Sequence, residues 1–191
     1  MGNTPAGAAA ATSRVASSQC SAPRVSVVVP ARNEAVLLPR LLESLAKQTR
    51  PPDEVVVADA LSVDETVEVA RELGALVVRG GPPAVGRNAG ACATTGELLL
   101  FLDADVVPGP GFVADAVGEF TRRRLDVATA PIAPVEQAWD FRVAYRIIGL
   151  WLRAVSRISP HAVGACILVR RDLHDRLGGF DETLALAEDH D

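Results

Sequence analysis

Glu97-Leu98-Leu99-Leu100-Phe101-Leu102-Asp103-Ala104-Asp105 is the stretch that decides the fold of this 191-residue chain. Its run of five apolar residues is too short for an ordinary helix and stops abruptly at two carboxylates spaced i, i+2. A strand buried on both faces reads this way, and its last residues emerge at the carboxyl edge of a parallel sheet. Open α/β sheets bind ligands at that edge. Two acids with one residue between them can share a divalent cation that also holds phosphate oxygens. The expectation is a metal-assisted site for a nucleotide-linked sugar.

The flanking segments alternate between strand and helix patterns. Upstream, Val25-Ser26-Val27-Val28-Val29 is β-branched and ends at Pro30, as a buried first strand would. Ala31-Arg32-Asn33-Glu34 is a polar corner, after which Leu37, Leu38, Leu41, Leu42 and Leu45 mark one face of a helix. Pro39 belongs in the first turn of that helix, where its missing N–H costs nothing. Glu54-Val55-Val56-Val57-Ala58 is a second strand ending on Asp59, and Asp64 is placed to cap a helix that Gly74 stops. Ala75-Leu76-Val77-Val78 is a third strand, and residues 85–91 form a small-residue helix able to pack closely on a sheet. Downstream, residues 112–124 read as a helix, Val127-Ala128-Thr129-Ala130 as a strand and Ala165-Cys166-Ile167-Leu168-Val169 as another. This alternation predicts a single α/β domain, a mostly parallel sheet flanked by helices.

Composition narrows the class. Apolar residues make up 49% and charged residues 23%, as in soluble globular proteins. A net charge of −5 argues against nucleic acid as a partner. Cys20, Cys92 and Cys166 are odd in number and widely spaced, neither a disulfide framework nor a zinc pattern, which suits the cytoplasm. Residues 1–23, rich in Ala, Ser, Thr, Gly and Pro, read as a disordered leader, and residues 24–191 as the domain. No stretch of about 18 uncharged apolar residues is present to span a membrane.

The segment 139–158, from Trp139 to Ile158, is amphipathic. Arg142, Arg146, Arg153 and Arg157 fall in a narrow stripe beside an arc of Trp139, Val143, Ile147, Leu150, Trp151, Ala154 and Ile158. Such a face suits peripheral contact with the cytoplasmic face of a membrane or with an anionic lipid-linked acceptor. It equally suits a helix packed on the sheet with a solvated basic edge, the commoner arrangement.

Asn33-Glu34, Asp59 and Asp103-x-Asp105 stand at the ends of three apolar runs. Singly, each acid reads first as a turn former or helix cap; together, in a parallel sheet, they converge on one edge. His161, His174 and His190 have no mutual ligand spacing and read as surface or loop histidines. Gly178-Gly179 reads as a flexible turn.

These residues resemble family 2 glycosyltransferases of the GT-A fold. Residues 25–34 look like that family's opening strand. Asp59-Ala60-Leu61-Ser62-Val63-Asp64-Glu65-Thr66 is similar to its Asp-Asp-Gly-Ser-Thr-Asp-x-Thr segment, and Gly86-Arg87-Asn88-Ala89-Gly90 to its Ala-Arg-Asn-x-Gly. Asp103-Ala104-Asp105 matches the DXD motif, Gly178-Gly179-Phe180-Asp181-Glu182 the Gly-Gly-Phe-Asp-Glu segment, and Glu188-Asp189 falls at the Glu-Asp catalytic motif. The resemblance implies that Pro30, Glu34 and Asp59 border the nucleobase and ribose and that Arg87 lies near the nucleotide. It implies that Asp103 contacts ribose or metal-bound water, that Asp105 ligates Mn²⁺ or Mg²⁺, and that Asp189 is the general base. Ala60 and Leu61 in place of Asp-Gly, and Arg32 in place of a common Tyr, depart from the pattern around the base pocket. Because the chain ends at the proposed base, the resemblance also implies a domain that is incomplete at its C-terminal end.

The chemistry agrees independently. Displacing a nucleoside diphosphate from a sugar builds charge on the leaving phosphate, which a divalent metal offsets. An acceptor hydroxyl, on a saccharide or a lipid-linked acceptor, needs a carboxylate to take its proton. One base without a protein nucleophile means single displacement with inversion. A nucleotidyltransferase on a related α/β fold also needs acids and a metal, but residues 31–34 lack the Gly-rich basic loop it would carry. A catalytically inactive nucleotide-binding or membrane-associated module is the non-enzyme alternative.

Overall fold

A computed structural model of the chain describes residues 22–130 and 165–183. The expected leader, apart from its last two residues, the amphipathic segment 139–158, His161, His190 and Asp189 lie outside the described residues. No described helix is long and apolar enough to cross a membrane.

The opening stretch is the strand that was expected, β4 (Leu98–Leu102), with all five residues buried. Around it six strands form one sheet: β1 (Val25–Ala31), β2 (Glu54–Asp59), β3 (Leu76–Arg79), β4, β5 (Val127–Thr129) and β6 (Cys166–Arg170). Their order is β3-β2-β1-β4-β6-β5. The first four are parallel, with Val27 level with Val55 on one side and with Leu100 on the other. β6 runs antiparallel to both β4 and β5, pairing Leu168 with Leu100 and with Ala128. The sheet is thus mostly parallel, as its sequence pattern requires, with one reversed strand.

Strand alternation sorts the core into two layers. Val25, Val27 and Val29 of β1 and Leu98, Leu100 and Leu102 of β4 face one layer. There they meet α1 (Leu38–Ala46) through Leu38, Leu41, Leu42 and Leu45, and α4 (Phe112–Arg123) through Val113, Val117 and Phe120. α2 (Thr66–Glu72) joins this layer through Ala70. Val28, Leu99 and Phe101 face the other way, toward Ala91 of α3 (Pro83–Cys92) and Leu173 of α5 (Arg171–Leu177).

Local details follow the residues. α1 begins at Leu38 with Pro39 in its first turn, so Leu37, expected on the buried face, lies before the helix and is exposed. Glu65, not Asp64, occupies the cap position of α2; Asp64 nevertheless accepts a hydrogen bond from the Thr66 N–H at 3.1 Å. Gly74 closes that helix at φ +83° as anticipated. α3 packs closely because Gly90 lies against β1: a Cβ there would come within 2.3 Å of Val28 Cγ1. An alanine at this position would have to displace the strand, a typical overpacking cost of about 1–3 kcal/mol.

Candidate active site

Parallel pairing brings the ends of β1 and β2 level, with Ala31 opposite Asp59. The loops that follow are laced together. Ala60 N–H donates to Ala31 O at 2.9 Å, Asn33 N–H to Ser62 Oγ at 2.9 Å and Val63 N–H to Asn33 Oδ1 at 2.9 Å. Glu34 N–H donates to Thr66 Oγ1 at 2.8 Å, and Ala35 N–H to Asp64 Oδ2 at 3.2 Å. Asn33 and Leu61 take left-handed backbone conformations, φ +57° and +61°, to make these corners. Asn tolerates that region; Leu, at a position where the similar family motif has Gly, is strained by about 1–2 kcal/mol. Asp59 is buried beneath the corner and accepts from Ser62 N–H at 3.2 Å.

The end of β4 supplies the next pair. Ala104 is buried, Asp103 half-buried and Asp105 exposed, so the two carboxylates frame a buried spacer. From α3, Arg87 Nη2 donates to Asp103 Oδ1 at 2.9 Å, its side chain only 15% exposed. α3 reaches this position because Gly86 passes close to Pro30: a Cβ on Gly86 would lie 3.3 Å from the proline Cβ. Pro30, Glu34, Asp59, Asp103 and Asp105 therefore stand at or just beyond the carboxyl ends of β1, β2 and β4, and Arg87 reaches Asp103 from within α3.

The electrostatics are one-sided. Burial pushes Asp103 above the ordinary carboxylate value; Arg87 opposes this and Asp105 reinforces it. Burial likewise raises Glu34, with Asp105, Asp64 and Asp103 adding to it in that order. Asp64 is held low by its bonds from Thr66 and Ala35. The carboxylates of Glu34, Asp64, Asp103 and Asp105 thus act on one another at this edge, with Arg87 opposing the rise at Asp103, a local field that favours a cation.

Sequence reasoning missed several participants. Phe180 sets its ring edge-on to Phe101, centroids 5.0 Å apart, and lies 5.6 Å from the Arg87 guanidinium carbon. His174, read as a surface or loop residue, is instead largely buried on α5 between Phe101 and Phe180, at 5.7 and 5.9 Å. Asn88, Ser62 and Thr66 supply the bonds that hold the loops. Asn88, Phe180, Ser62 and Thr66 stand inside segments that resemble the family's motifs, though the motifs do not announce these contacts; His174 carried no signal. Gly178 and Gly179 form the expected turn, both in the left-handed region at φ +80° and +81°, and Gly179 abuts Asn88. A cavity of about 790 Å³ opens at the other edge of the sheet, lined by Gly96, Glu97, Phe120 and Arg170 among others, and holds none of these acids.

A mostly parallel six-stranded sheet with acids gathered at its carboxyl edge defines a GT-A-type α/β domain. The chain belongs to glycosyl transferase family 2, whose profile matches residues 26–178. It is 30% identical over 180 residues to the pre-mycofactocin glycosyltransferase of Mycobacterium tuberculosis, covering 87% of this chain and 37% of that protein. It superposes on a mannosyltransferase of Pyrobaculum calidifontis in complex with GDP-Man and Mn²⁺ at TM-score 0.66 and 31% identity, covering 83% of this chain and 48% of the other. It also superposes on Staphylococcus aureus TarS (residues 1–349) in complex with UDP-GlcNAc at TM-score 0.62 and 27% identity, covering 87% and 51%. The chain therefore spans about half the length of these solved structures, and less of the curated relative.

Proposed function

We propose that this chain is the donor-binding part of a glycosyltransferase that moves a sugar from a nucleotide-diphosphate donor to an acceptor hydroxyl by metal-assisted, inverting single displacement. The observation that carries this reading is the convergence of Glu34, Asp59, Arg87, Asp103 and Asp105 on one sheet edge with excess negative charge. The donor set fits a divalent cation: Asp103 and Asp105 are hard oxygen ligands, and Asp103 is held above its ordinary pKa by burial that a cation would offset. Among the described residues no group of three His, Cys, Asp or Glu side chains is placed to cage a metal. A cation bound here would complete its shell with donor phosphates and water, as Mg²⁺ and Mn²⁺ sites commonly do.

The chain's own residues divide the work. Asp59, buried between the two corner loops, offers a carboxylate to a nucleobase or ribose, with Pro30 and Glu34 bordering the same space. Asp105 and Asp103 would hold the metal. Arg87 keeps Asp103 ionised and oriented while standing close enough to the diphosphate to share its charge. The bound metal acts as a Lewis acid on the leaving diphosphate. Asp189 is proposed to take the acceptor hydroxyl proton as that oxygen attacks the anomeric carbon, with the nucleoside diphosphate leaving from the opposite face. The acceptor would be a saccharide or a lipid-linked molecule.

Calorimetry with UDP- and GDP-sugars, with and without Mn²⁺, tests the reading. Donor binding that strengthens with metal is the expected result; equal affinity with and without metal for every donor would sink it.

A further inference from the structure

Asn88 follows Arg87 on α3 and makes three hydrogen bonds to one short turn. Its Oδ1 accepts the Phe180 N–H at 2.8 Å, its Nδ2 donates to Phe180 O at 2.9 Å, and Nδ2 also donates to Glu182 Oε1 at 2.8 Å. Two antiparallel donor–acceptor contacts to a single residue's backbone imitate a strand pairing, so the amide fixes the turn in both position and direction. Aspartate could not do this: it has no donor for Phe180 O and would face the Glu182 carboxylate. Gly179 lets the amide approach, since a Cβ there would lie 2.5 Å from Asn88 Oδ1.

The same turn touches the donor edge by two other routes. The Phe180 ring lies by Arg87, which is ion-paired to Asp103, and packs edge-on against Phe101, two residues before Asp103 on β4. Arg87, Asp103, Phe101, Phe180 and Asn88 form a closed circuit of contacts.

We propose that Asn88 is a positioning residue that couples the Gly178–Gly179–Phe180 turn to the donor edge, so that nucleotide occupancy at Asp103 and Asp105 tightens that turn. This rests on the donor-site reading above. Asn88 touches neither donor nor acceptor; it acts through the turn it holds.

Backbone amide exchange at Phe180, read with calorimetry using UDP and GDP in the presence of Mn²⁺, tests the coupling. In the unaltered chain, nucleotide should slow exchange of the Phe180 amide by about tenfold. Asn88→Ala should bind nucleotide within about twofold of the unaltered chain yet lose that protection. The double variant Asn88→Asp with Glu182→Gln exchanges donor for acceptor between the two side chains and should restore part of it, which a merely structural asparagine would not predict. Should Asn88→Ala fail to fold, Glu182→Ala removes one of the three bonds from an exposed residue and should halve the protection or more. Nucleotide binding with equal Phe180 protection in the unaltered chain and the variants overturns the positioning role alone. Failure of the unaltered chain to bind either nucleotide overturns the donor-site reading, and the positioning role falls with it.

Discussion

The two edges of the sheet use the same residue types to opposite ends. At the amino edge, burial would raise Glu54, but hydrogen bonds from Ser26 Oγ, Thr95 N–H and Thr95 Oγ1, with Arg24 nearby, pull it down to about 2. Around it Asp53 accepts from Val25 N–H at 2.7 Å, and Arg171 donates to Gly96 O, Ala91 O and Thr94 Oγ1. At the carboxyl edge, Glu34 and Asp103 are pushed up, with Arg87 the one opposing cation named in either balance. The protein satisfies Glu54 where it stitches strands together, and under-compensates Glu34 and Asp103 where the motifs gather. A carboxylate with its donors supplied is structural; one held at a cost among like charges is poised for a ligand.

The comparison can be broken by exchanging which edge a mutation hurts. Asp105→Asn should reduce Mn²⁺-dependent nucleotide affinity by about 100-fold, at or beyond the range for losing a metal's supporting partner. Because it removes a charge that raises both Glu34 and Asp103, it should not lower the melting temperature. A fall in melting temperature without a change in nucleotide affinity would mean that Asp105 is structural. Glu54→Ala should behave the opposite way. Losing the bonds to Ser26 and Thr95 should destabilise the fold by about 2 kcal/mol, roughly 4–8 °C in a chain of this size, with nucleotide affinity unchanged in calorimetry.

Acid titration sharpens the contrast through its signs. Glu54 is depressed from 4.5 to about 2, so its stabilisation is fully present above 4.5 and drains away as pH falls through about 2. Glu34 is raised, so its ionisation costs stability as pH rises through its elevated value, a cost absent below the ordinary 4.5. Carboxyl-resolved NMR titration should show Glu34 titrating above 4.5 and moving down when Mn²⁺ and nucleotide are added. An unmoved Glu34 would disconnect it from the site. The smallest effect belongs to Leu61, exposed and left-handed at φ +61°. Leu61→Gly should stabilise the chain by about 1 kcal/mol in urea unfolding unless the side chain makes a compensating contact.

Much of the site was legible because the carboxyl ends of parallel strands must lie together. Asp59, Asp103 and Asp105 terminate apolar runs, and once those runs are strands of one sheet the acids have to meet. Glu34 was legible for the same reason, one corner beyond β1. The bonds that arm the corners were not. Ser62 and Thr66 stand in a recognisable segment, but their bonds to the Asn33 and Glu34 amides exist only once the β1 and β2 loops are level, and His174 looked exposed until α5 turned its ring onto Phe101. The glycine pair was legible as a turn, but not the left-handed φ of both residues nor the close approach of Asn88.

The residue pattern by itself determined the strands, the helix faces, the mostly parallel sheet and the acidic edge, because side-chain alternation and strand ends are local properties that the chain carries unfolded. Tertiary structure alone decided that β6 runs backward beside β4, that Arg87 spends its charge on Asp103, and that Asn88 grips the Phe180 turn 92 residues away. Those contacts join residues with no shared period in the sequence, and their partners exist only once two layers have packed against one sheet.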